Sequence, residues 1–480
     1  MQESKHRNLL EVILFSGFLL ILVYFYRPGL FFSSFNLDEV ILTLSSQDIK
    51  VQDYALNKEG VGNFFDVFSA NRTYGSLDPG LFTLILHLWS KVSHNTWWLR
   101  LLPFSFFLGG LIVVISTLRH LGKKAMPLKL ALFPLFLFFS NQVILDHAYT
   151  IRPYAMEMMG TAFLFLVISK LEWKADKSNY LLMFGLSFFL GSRYFFWINC
   201  SLALVSIFAV DFIKKEVNIS SFIKLILIPV CMMIFLLIFV FQYQYENLDT
   251  RYMHIYYDNS RSWWKELLGD HSFKFYLSYP LYLLIAHLNK KKLNQTQMKI
   301  TLFLAFGLCG HVLANYLKIS PLRVHERFTI GFHTMALISF SLMIREVIEV
   351  IRDSKERLAT FICLFSLVFC FNSQYLFEQK SELVPMLKYM EDKLSEKNKV
   401  YCDVISCSMV RFLKDFVGYE AAWDTMPEFI PYVEGMKVSE DSYFLVIAPT
   451  GNLGELGLEL ERNNLPLVQG QYYQRLYRNE

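Results

Sequence analysis

Long apolar stretches recur along this chain, and they constrain its fold more than any other feature. Most are close to the roughly 20 residues that an α-helix needs to cross about 30 Å of hydrocarbon. Because 54% of the 480 residues are hydrophobic and only 18% are charged, one soluble core cannot bury this much apolar surface. We predict an all-α polytopic membrane domain with about eleven spanning helices. The predicted spans are 9–26, 97–118, 127–145, 154–170, 180–192, 194–213, 221–242, 273–288, 299–317, 328–344 and 358–377.

Basic residues gather in alternate connections between these stretches, for example at Lys123-Lys124, Lys214-Lys215 and around Arg345. An excess of Lys and Arg is typical of cytoplasmic loops. The pattern therefore predicts a cytoplasmic N-terminus and outer-face loops at 27–96 and 243–272. Because no small-residue cleavage site follows the first stretch, we expect a retained first helix in a bacterial inner membrane protein. The small net charge of +4 argues against a nucleic-acid partner.

The more polar C-terminal region is predicted to form a separate domain, so we divide the chain into 1–377 in the membrane and 378–480 outside it. Its pattern predicts a small α/β domain on the periplasmic side. The predicted helices are 381–394, 409–417 and 453–462, and the predicted strands are 400–404, 443–447 and 465–476. Cys402 and Cys407 lie in this region and are candidates for a disulfide in an oxidising compartment.

The first outer loop contains two segments, 38–54 and 79–89, that are too short or too polar to span. We expect both to be helices lying in the membrane interface. Asp38 and Glu39 begin the first of them. An acidic first turn is stabilised by the helix dipole, and this alone explains the pair. A carboxylate at the membrane surface would also suit the deprotonation of a hydroxyl acceptor, so both interpretations stay open.

Four segments of the first 170 residues resemble motifs of the GT-C glycosyltransferases. The branch is that of the protein O-mannosyltransferases and aminoarabinose transferases, which is glycosyltransferase family 39-like. The segments are Asn36–Glu39, Leu77–Leu81 with Leu86–Trp89, Trp98–Pro103 and Tyr149–Ala155. Each motif is short, but four in the same order are more specific than one.

The resemblance implies a GT-C fold and an inverting transfer of a sugar from a polyprenyl-phosphate-linked donor. The acceptor would be a hydroxyl or amine at the outer face, and Asp38 and Glu39 would be catalytic. The chain departs from the family at Asp78-Pro79-Gly80, where the family has His-Pro-Pro, and at Thr150, where it has an acid. Asp146 is our candidate for the missing second carboxylate, although a solvated acid at a helix C-terminus would look the same.

Cationic side chains at the outer ends of helices are the candidates for stabilising the departing phosphate. They are Arg100, Arg152, Arg323, His325 and Arg327. Interface anchors that extend towards the headgroups would give the same pattern. We interpret Arg193 and Tyr194 as such an anchor and His87 as a histidine of an amphipathic helix.

Asp78, Tyr149 and Tyr154 are the candidate substrate-binding residues, although tyrosines at this depth also form aromatic belts. The histidines are too scattered to predict a metal site, so we predict no cofactor while a divalent metal stays open. The expected partners are membrane lipid and a polyprenyl-phosphate-linked sugar. The acceptor is left open between a protein, lipid A, a glycolipid and a wall polymer.

Three alternative functions fit the same membrane setting. An O-antigen-type polymerase also uses outer-loop arginines, but it needs neither an early Asp-Glu pair nor a folded C-terminal domain. A transporter or flippase of lipid-linked saccharides predicts inverted repeats and charges at the bilayer midplane. We expect the ionisable residues of this chain to gather at one face instead. A noncatalytic scaffold would keep its function without Asp38.

Overall fold

The structure is a computed structural model, and it describes part of the chain. The described residues are Val67, 78–121, 137–138, 141–242, 244, 275–288, 292–316, 330–351, 384–403, 406–407, 410–411, 426–432, 436, 438, 442–447, 467–471 and 474–478.

Helices make up most of the described residues. They are α1 (Leu81–Ser90), α2 (Thr96–His120), α3 (Gln142–Ala148), α4 (Tyr154–Lys170), α5 (Lys177–Leu190), α6 (Tyr194–Ile213), α7 (Ile219–Leu236), α8 (Ser278–Leu288), α9 (Gln295–Tyr316), α10 (Ile330–Ile351) and α11 (Val384–Lys393). Helix α7 continues as a short π-helix, Leu237–Phe241.

Side-chain caps fix the starts of three helices. The side chains of Asn141, Asp176 and Asn218 accept hydrogen bonds from backbone N–H groups in the first turns of α3, α5 and α7. Such caps satisfy N–H groups that have no partner within the helix. Helix α4 begins directly after Pro153, whose ring favours the first turn of a helix. Polar residues in short connections therefore divide the apolar sequence into separate helices.

Four helices among the described residues are long and apolar enough to cross a membrane, and they make this a multi-pass membrane protein. They are Trp97–Arg119, Tyr194–Ile213, Ile219–Phe241 and Ile330–Val350. Only 22% of the most apolar window of Ile219–Phe241 is buried, against 83% in Ile330–Val350. Ile219–Phe241 exposes most of its apolar surface and is therefore suited to contact lipid. Ile330–Val350 is a core helix.

The described residues belong to two compact units, and each is considered by itself. The first contains Gly75–Phe82 and Pro103–Phe377, and the second contains Thr83–Leu102 and Glu378–Glu480. The core of the first unit surrounds α4, which packs against α5, α6, α9 and α10. Gly160 of α4 lies so close to Phe189 and Phe196 that a Cβ there would be 2.9 Å from each side chain. Small residues at such points let helices approach closely.

The C-terminal region contains a mixed sheet and so confirms the predicted α/β character. Its strands are β1 (Lys399–Cys402), β2 (Glu428–Pro431), β3 (Tyr443–Ile447), β4 (Leu467–Gln471) and β5 (Gln474–Arg478). Their order is β2-β1-β3-β5-β4, with parallel pairs at β2-β1-β3 and antiparallel pairs beyond β3. Cys402 and Cys407 form a disulfide, which confirms them as the candidate pair.

Two predictions about this sheet were wrong. Strand β2 was missed because prolines at 427 and 431 argue against a strand, yet β2 lies at the sheet edge, where proline is tolerated. The single final strand is in fact a hairpin of β4 and β5, in which Gln471 pairs with Gln474. The predicted helices 409–417 and 453–462 lie largely or wholly outside the described residues.

Several predicted helices are confirmed. Helices α4 and α6 have the predicted bounds 154–170 and 194–213, and α2 differs from 97–118 by two residues or fewer at each end. The segment 79–89 is helical as α1, whereas 38–54 lies outside the described residues. The spans 9–26 and 358–377 also lie outside them, so the number eleven stays a prediction.

Candidate functional site

Two tight turns of the first unit meet at the end of the bundle where α4, α6 and α10 begin. Asp78-Pro79-Gly80 leads into α1, and Gly80 has a φ of 87°, which favours glycine. Gly191-Ser192-Arg193 connects α5 to α6. A Cβ at position 191 would lie 2.6 Å from Leu81 Cβ, so the two turns are in close contact. This contact brings Asp78 and Arg193 together.

Arg193 is the centre of a buried charge cluster. Its Nη1 donates to Glu157 Oε2 at 2.8 Å, and its Nε donates to Asp78 Oδ1 at 3.3 Å. The guanidinium carbon also lies 4.9 Å from the centroid of the Tyr154 ring, a cation–π distance. The Arg193 cluster, as we call Asp78, Tyr154, Glu157 and Arg193, therefore joins α4 to both turns.

The charge of Arg193 is secured by its neighbours. Burial by itself would lower the pKa of the guanidinium, but the carboxylates of Glu157 and Asp78 act in the opposite direction, and the net pKa is raised. Arg193 thus stays positively charged at any physiological pH. The interpretation of Arg193 as an interface anchor was wrong, because its side chain is only 6% exposed and is paired inside the protein.

Glu157 is held from a second direction by the start of α10. The backbone of Gly331, in the first turn of α10, lies directly against its carboxylate. A Cβ at position 331 would lie 2.6 Å from Glu157 Oε1, so this approach requires glycine. A helix N-terminus favours negative charge, and it stabilises the carboxylate in addition to Arg193.

The backbone of the Asp78 turn is fixed by Gln244. The side-chain amide of Gln244 donates to the carbonyl of Asp78 at 2.9 Å and accepts from the hydroxyl of Tyr194 at 2.7 Å. Gln244 follows the π-helix at the end of α7, and such π-helical turns often occur near functional sites. Asp78 is consequently held through both its carbonyl and its carboxylate.

The segments that resemble family motifs contact one another in the structure. In the first unit, Asp78 of the second motif and Tyr154 of the fourth both contact Arg193. In the second unit, Trp89 and Trp98 belong to the second and third motifs. Their rings stack at 4.4 Å, and each indole N–H donates to the other's carbonyl. The second and fourth motifs, which are far apart in sequence, thus meet at Arg193, and the neighbouring second and third motifs meet at the stacked tryptophans.

The other predicted site residues fall into different surroundings. Arg100 lies in α2 and is buried, so its side chain does not extend as an interface anchor. Arg152 and Tyr149 are half-buried in the connection between α3 and α4. Asp146 belongs to the last turn of α3 instead of the predicted loop. Tyr154 is buried, so the aromatic-belt interpretation was wrong for it.

Five predicted site residues lie outside the described residues. They are Asp38, Glu39, Arg323, His325 and Arg327. The proposed base and three of the five proposed phosphate ligands therefore stay predictions. His87 is buried in α1, as expected of a histidine on the inner face of an amphipathic helix.

Sequence reasoning missed Glu157 and misjudged Arg193. The usable signal was an acidic residue inside an otherwise apolar stretch, where charge is costly and marks a functional candidate. Glu157 sits in the first turn of α4, where an acid is unremarkable because of the helix dipole. No local pattern indicates that its partner is 36 positions away.

A second charge cluster, buried except for Glu349, lies at the opposite end of α10. We call it the Arg345 cluster: Asp211, Lys299, Arg345, Glu346 and Glu349. Lys299 pairs with Asp211 at 2.7 Å, and Arg345 pairs with Glu346 at 2.9 Å and Glu349 at 2.8 Å. The expectation that ionisable residues gather at one face was therefore wrong. Arg345 is not an exposed loop cation either, because it is 1% exposed.

No metal site is found among the described residues, where no three His, Cys, Asp or Glu side chains approach as ligands would. The site offers instead a largely buried cation held by two carboxylates. Asp78 is the most exposed of the three, with 16% of its side chain accessible. The arrangement can present a carboxylate, supported by a fixed arginine, at one end of a helical bundle.

Fold and site together define a helical membrane protein that carries a charged site at the starts of its helices and a small C-terminal α/β domain. The solved structures similar along its length include two of ArnT from Cupriavidus metallidurans. The apo structure aligns with a TM-score of 0.48 at 11% identity, covering 98% of each chain. The structure bound to undecaprenyl phosphate aligns with a TM-score of 0.45 at 10% identity, again covering 98% of each.

ArnT is an aminoarabinose transferase, one of the groups that the four sequence motifs resemble. No protein-family model and no curated protein matches the chain. The function of this protein must therefore be argued from its own residues.

Proposed function

We propose that this protein is an inverting glycosyltransferase that moves a sugar from a polyprenyl-phosphate-linked donor to a hydroxyl or amine acceptor. The reaction would take place at the outer face of a bacterial inner membrane. The N-terminus would be cytoplasmic, and the domain 378–480 would lie on the periplasmic side of the membrane domain 1–377.

The main support for this proposal is that two of the family-like motifs converge on a single buried guanidinium. Asp78 and Tyr154 come from the second and fourth motifs, and both were selected from the sequence as substrate-binding residues. Arg193 contacts both, at 3.3 Å and 4.9 Å. Polar groups that converge in this way are typical of a binding site.

The proposed chemistry assigns a role to each predicted residue. Asp38 would accept the proton of the acceptor as its oxygen or nitrogen attacks the sugar, with Glu39 beside it. Asp146 is the candidate second carboxylate. Cations would stabilise the phosphate as it leaves, because arginine stays charged and can bind phosphate with two donors. These cations are Arg100, Arg152, Arg323, His325 and Arg327.

The test is transfer or hydrolysis of a panel of labelled polyprenyl-phosphate sugars by the purified full-length protein in detergent. Wild type should consume one donor, and Asp38→Asn should reduce its rate by roughly a hundredfold or more, since a positioned base contributes about 10²–10⁴-fold. Asp392→Asn is the matched control, because Asp392 is exposed on α11 and should leave the rate unchanged.

Each alternative function has its own outcome in this experiment. Equal rates for wild type and Asp38→Asn would remove Asp38 as the base. Lengthening of a lipid-linked saccharide would indicate a polymerase. Movement of labelled lipid across proteoliposomes without a covalent product would indicate a flippase, and full cellular function of Asp38→Ala would indicate a scaffold.

A further inference from the structure

We infer that the α6–α7 connection is a binding site for the headgroup of an anionic phospholipid, held by Lys214, Lys215 and Lys224. We call these three residues the turn lysines. Lys214 and Lys215 follow the end of α6 opposite to Arg193, in a connection that the charge pattern predicts to be cytoplasmic, and Lys224 lies in the second turn of α7. The site binds membrane lipid instead of the donor, so its role goes beyond the proposed function.

Lys215 has a backbone conformation that usually belongs to glycine. Its φ is 59°, and among the described residues it is the one non-glycine residue with a positive φ. Its N–H bonds to the carbonyl of Phe212 and that of Glu216 bonds to the carbonyl of Asp211, both at 2.9 Å. These two bonds form the Schellman motif, in which a Cβ at the left-handed position is unfavourable. A cation favours a helix C-terminus, but Lys214 already provides one there. A lysine at position 215 therefore points to a use for its charge.

The turn lysines present positive charge that the protein itself does not neutralise. All three are exposed, and within the described residues none has an ion pair or a side-chain hydrogen bond. The segment 214–224 contains one acid, Glu216, whose carboxylate accepts from Gln295 at 2.7 Å. Asp211 nearby is already paired with Lys299 at 2.7 Å. Three lysines against one acid leave an excess of positive charge, which attracts anionic lipid.

Helix α7 supplies an apolar face beside these charges. It is the least buried of the four candidate spans among the described residues. Ile219, Ile223 and Leu227 follow at intervals of four residues, so they share one face, and each is more than half exposed. Lys224 is about 8 Å along this helix from its start, and a lysine near the end of a lipid-facing helix extends to the headgroups. One lipid can therefore contact the lysines with its phosphate and α7 with an acyl chain.

Aromatic packing fixes the start of α7 against the end of α6. Trp173, in the connection between α4 and α5, lies edge-on to Phe222 of α7 at 4.9 Å and to Phe208 of α6 at 6.5 Å. The rings of Phe208 and Phe222 are 4.7 Å apart. The lysine backbones are thus carried by a packed scaffold, and a preorganised site loses less entropy when it binds.

The test is equilibrium binding of two lipids with the same acyl chains, phosphatidylglycerol and phosphatidylcholine, to the purified full-length protein in nonionic detergent. A fluorophore on one acyl chain reports binding. Wild type should prefer phosphatidylglycerol by roughly tenfold or more, and the preference should fall as salt is added. Glutamine at each turn lysine should weaken phosphatidylglycerol binding by about fivefold and change phosphatidylcholine binding by less than about twofold.

Lys215 gives the sharpest test, because its backbone and its charge act in opposite directions. Lys215→Gly should raise the temperature of thermal unfolding, since glycine suits a φ of 59°, and should weaken phosphatidylglycerol binding by about fivefold. Lys215→Arg should keep the affinity within about twofold, because it keeps the cation. A gain in stability without a loss of affinity would overturn the inference, because the lysine would then be tolerated and not used.

Lys174→Gln is the matched control. Lys174 is an exposed lysine in the connection between α4 and α5, but it is paired with Glu172 at 2.6 Å. Its replacement should change phosphatidylglycerol binding by less than about twofold, and a loss equal to that of the turn lysines would mean that general surface charge is responsible. Thermal unfolding shows whether each variant is folded, and the turn lysines are replaced singly so that each variant is a separate test.

Two further outcomes would also overturn the inference. Equal affinity of wild type for the two lipids would show that the headgroup charge is not recognised. Competition by free glycerol phosphate as strong as that by unlabelled phosphatidylglycerol would indicate a site for soluble phosphate, because the apolar face of α7 would then contribute nothing.

Discussion

The Arg193 cluster and the Arg345 cluster are both buried groups of charges, but they are built on different kinds of backbone. Arg193 and Asp78 lie in turns, and only Glu157 and Tyr154 belong to a helix. The Arg345 cluster lies on three helices: Lys299 of α9 pairs with Asp211 of α6, and Gln297 of α9 donates to Glu346 of α10 at 3.2 Å. Arg345 Nε also donates to the carbonyl of Leu118 in α2. Binding residues occur preferentially on connections held by a rigid scaffold. Buried charge alone therefore does not mark a site.

Both clusters contact helix α10. Gly331 contacts Glu157 near the start of α10, and Arg345 lies in its second half. With a rise of 1.5 Å per residue, the two positions are about 21 Å apart. The same helix therefore lies against the Arg193 cluster at one end and carries members of the Arg345 cluster at the other.

The largest expected effect comes from removing the central cation of each cluster. Arg193→Met leaves two carboxylates without their buried partner and should lower the free energy of unfolding by about 3–5 kcal/mol. Arg345→Met should lower the free energy of unfolding by a similar amount. Transfer activity per folded molecule should be lost only in Arg193→Met. Thermal unfolding and donor transfer, measured on the same preparations, test the comparison.

If both variants lose activity in proportion to their folded fraction, the distinction between the clusters fails. Arg193→Lys is the control for charge. Lysine keeps the positive charge but lacks the separate guanidinium N–H groups that bind two carboxylates at once.

A smaller effect is expected at Gly331. Gly331→Ala places a Cβ 2.6 Å from Glu157 Oε1 and should destabilise the protein by about 1–3 kcal/mol, as overpacking does. It should also weaken donor binding, because Glu157 must move away from Arg193. Gly185→Ala is the matched control, since its Cβ would lie 2.7 Å from the ring of Phe163, which is not part of the cluster. Equal donor affinity in the two variants would contradict the prediction.

The smallest expected effect is at Gln244. Gln244→Ala removes the hydrogen bonds to the Asp78 carbonyl and the Tyr194 hydroxyl, each worth about 1 kcal/mol. Donor KM should rise several-fold, with a minor change in thermal stability. Tyr194→Phe, which removes only the second bond, should change KM less than Gln244→Ala does. The opposite order would show that Gln244 does not act through the Asp78 turn.

The regular parts of this fold could be predicted well from the sequence. The bounds of α4 could be predicted because Pro153 precedes an apolar stretch that ends at Lys170, and both signals are local. Strand β2 could not be predicted, because the tolerance of its prolines depends on its place at the sheet edge. That place is set by strands distant in the chain.

The site could be predicted only in part, because its contacts also join segments that are distant in the chain. Asp78 and Tyr154 could be selected because short motifs contain them, but the residue that joins them could not. An arginine at a helix start, such as Arg193, gives the sequence pattern of an interface anchor. The pattern is the same whether the side chain faces lipid headgroups or two carboxylates. The difference depends on a partner in α4 and on a turn more than a hundred positions earlier, and no local pattern records either contact.

The close contact between the Asp78 turn and the Arg193 turn has a consequence for evolution. Position 191 has no room for a side chain while leucine occupies position 81. A related sequence that carries any side chain at 191 must carry glycine at 81, because the Cβ of Leu81 is itself in the way, or Asp78 and Arg193 would separate. The two positions should therefore co-vary among homologues, and that covariation would be visible in sequences alone.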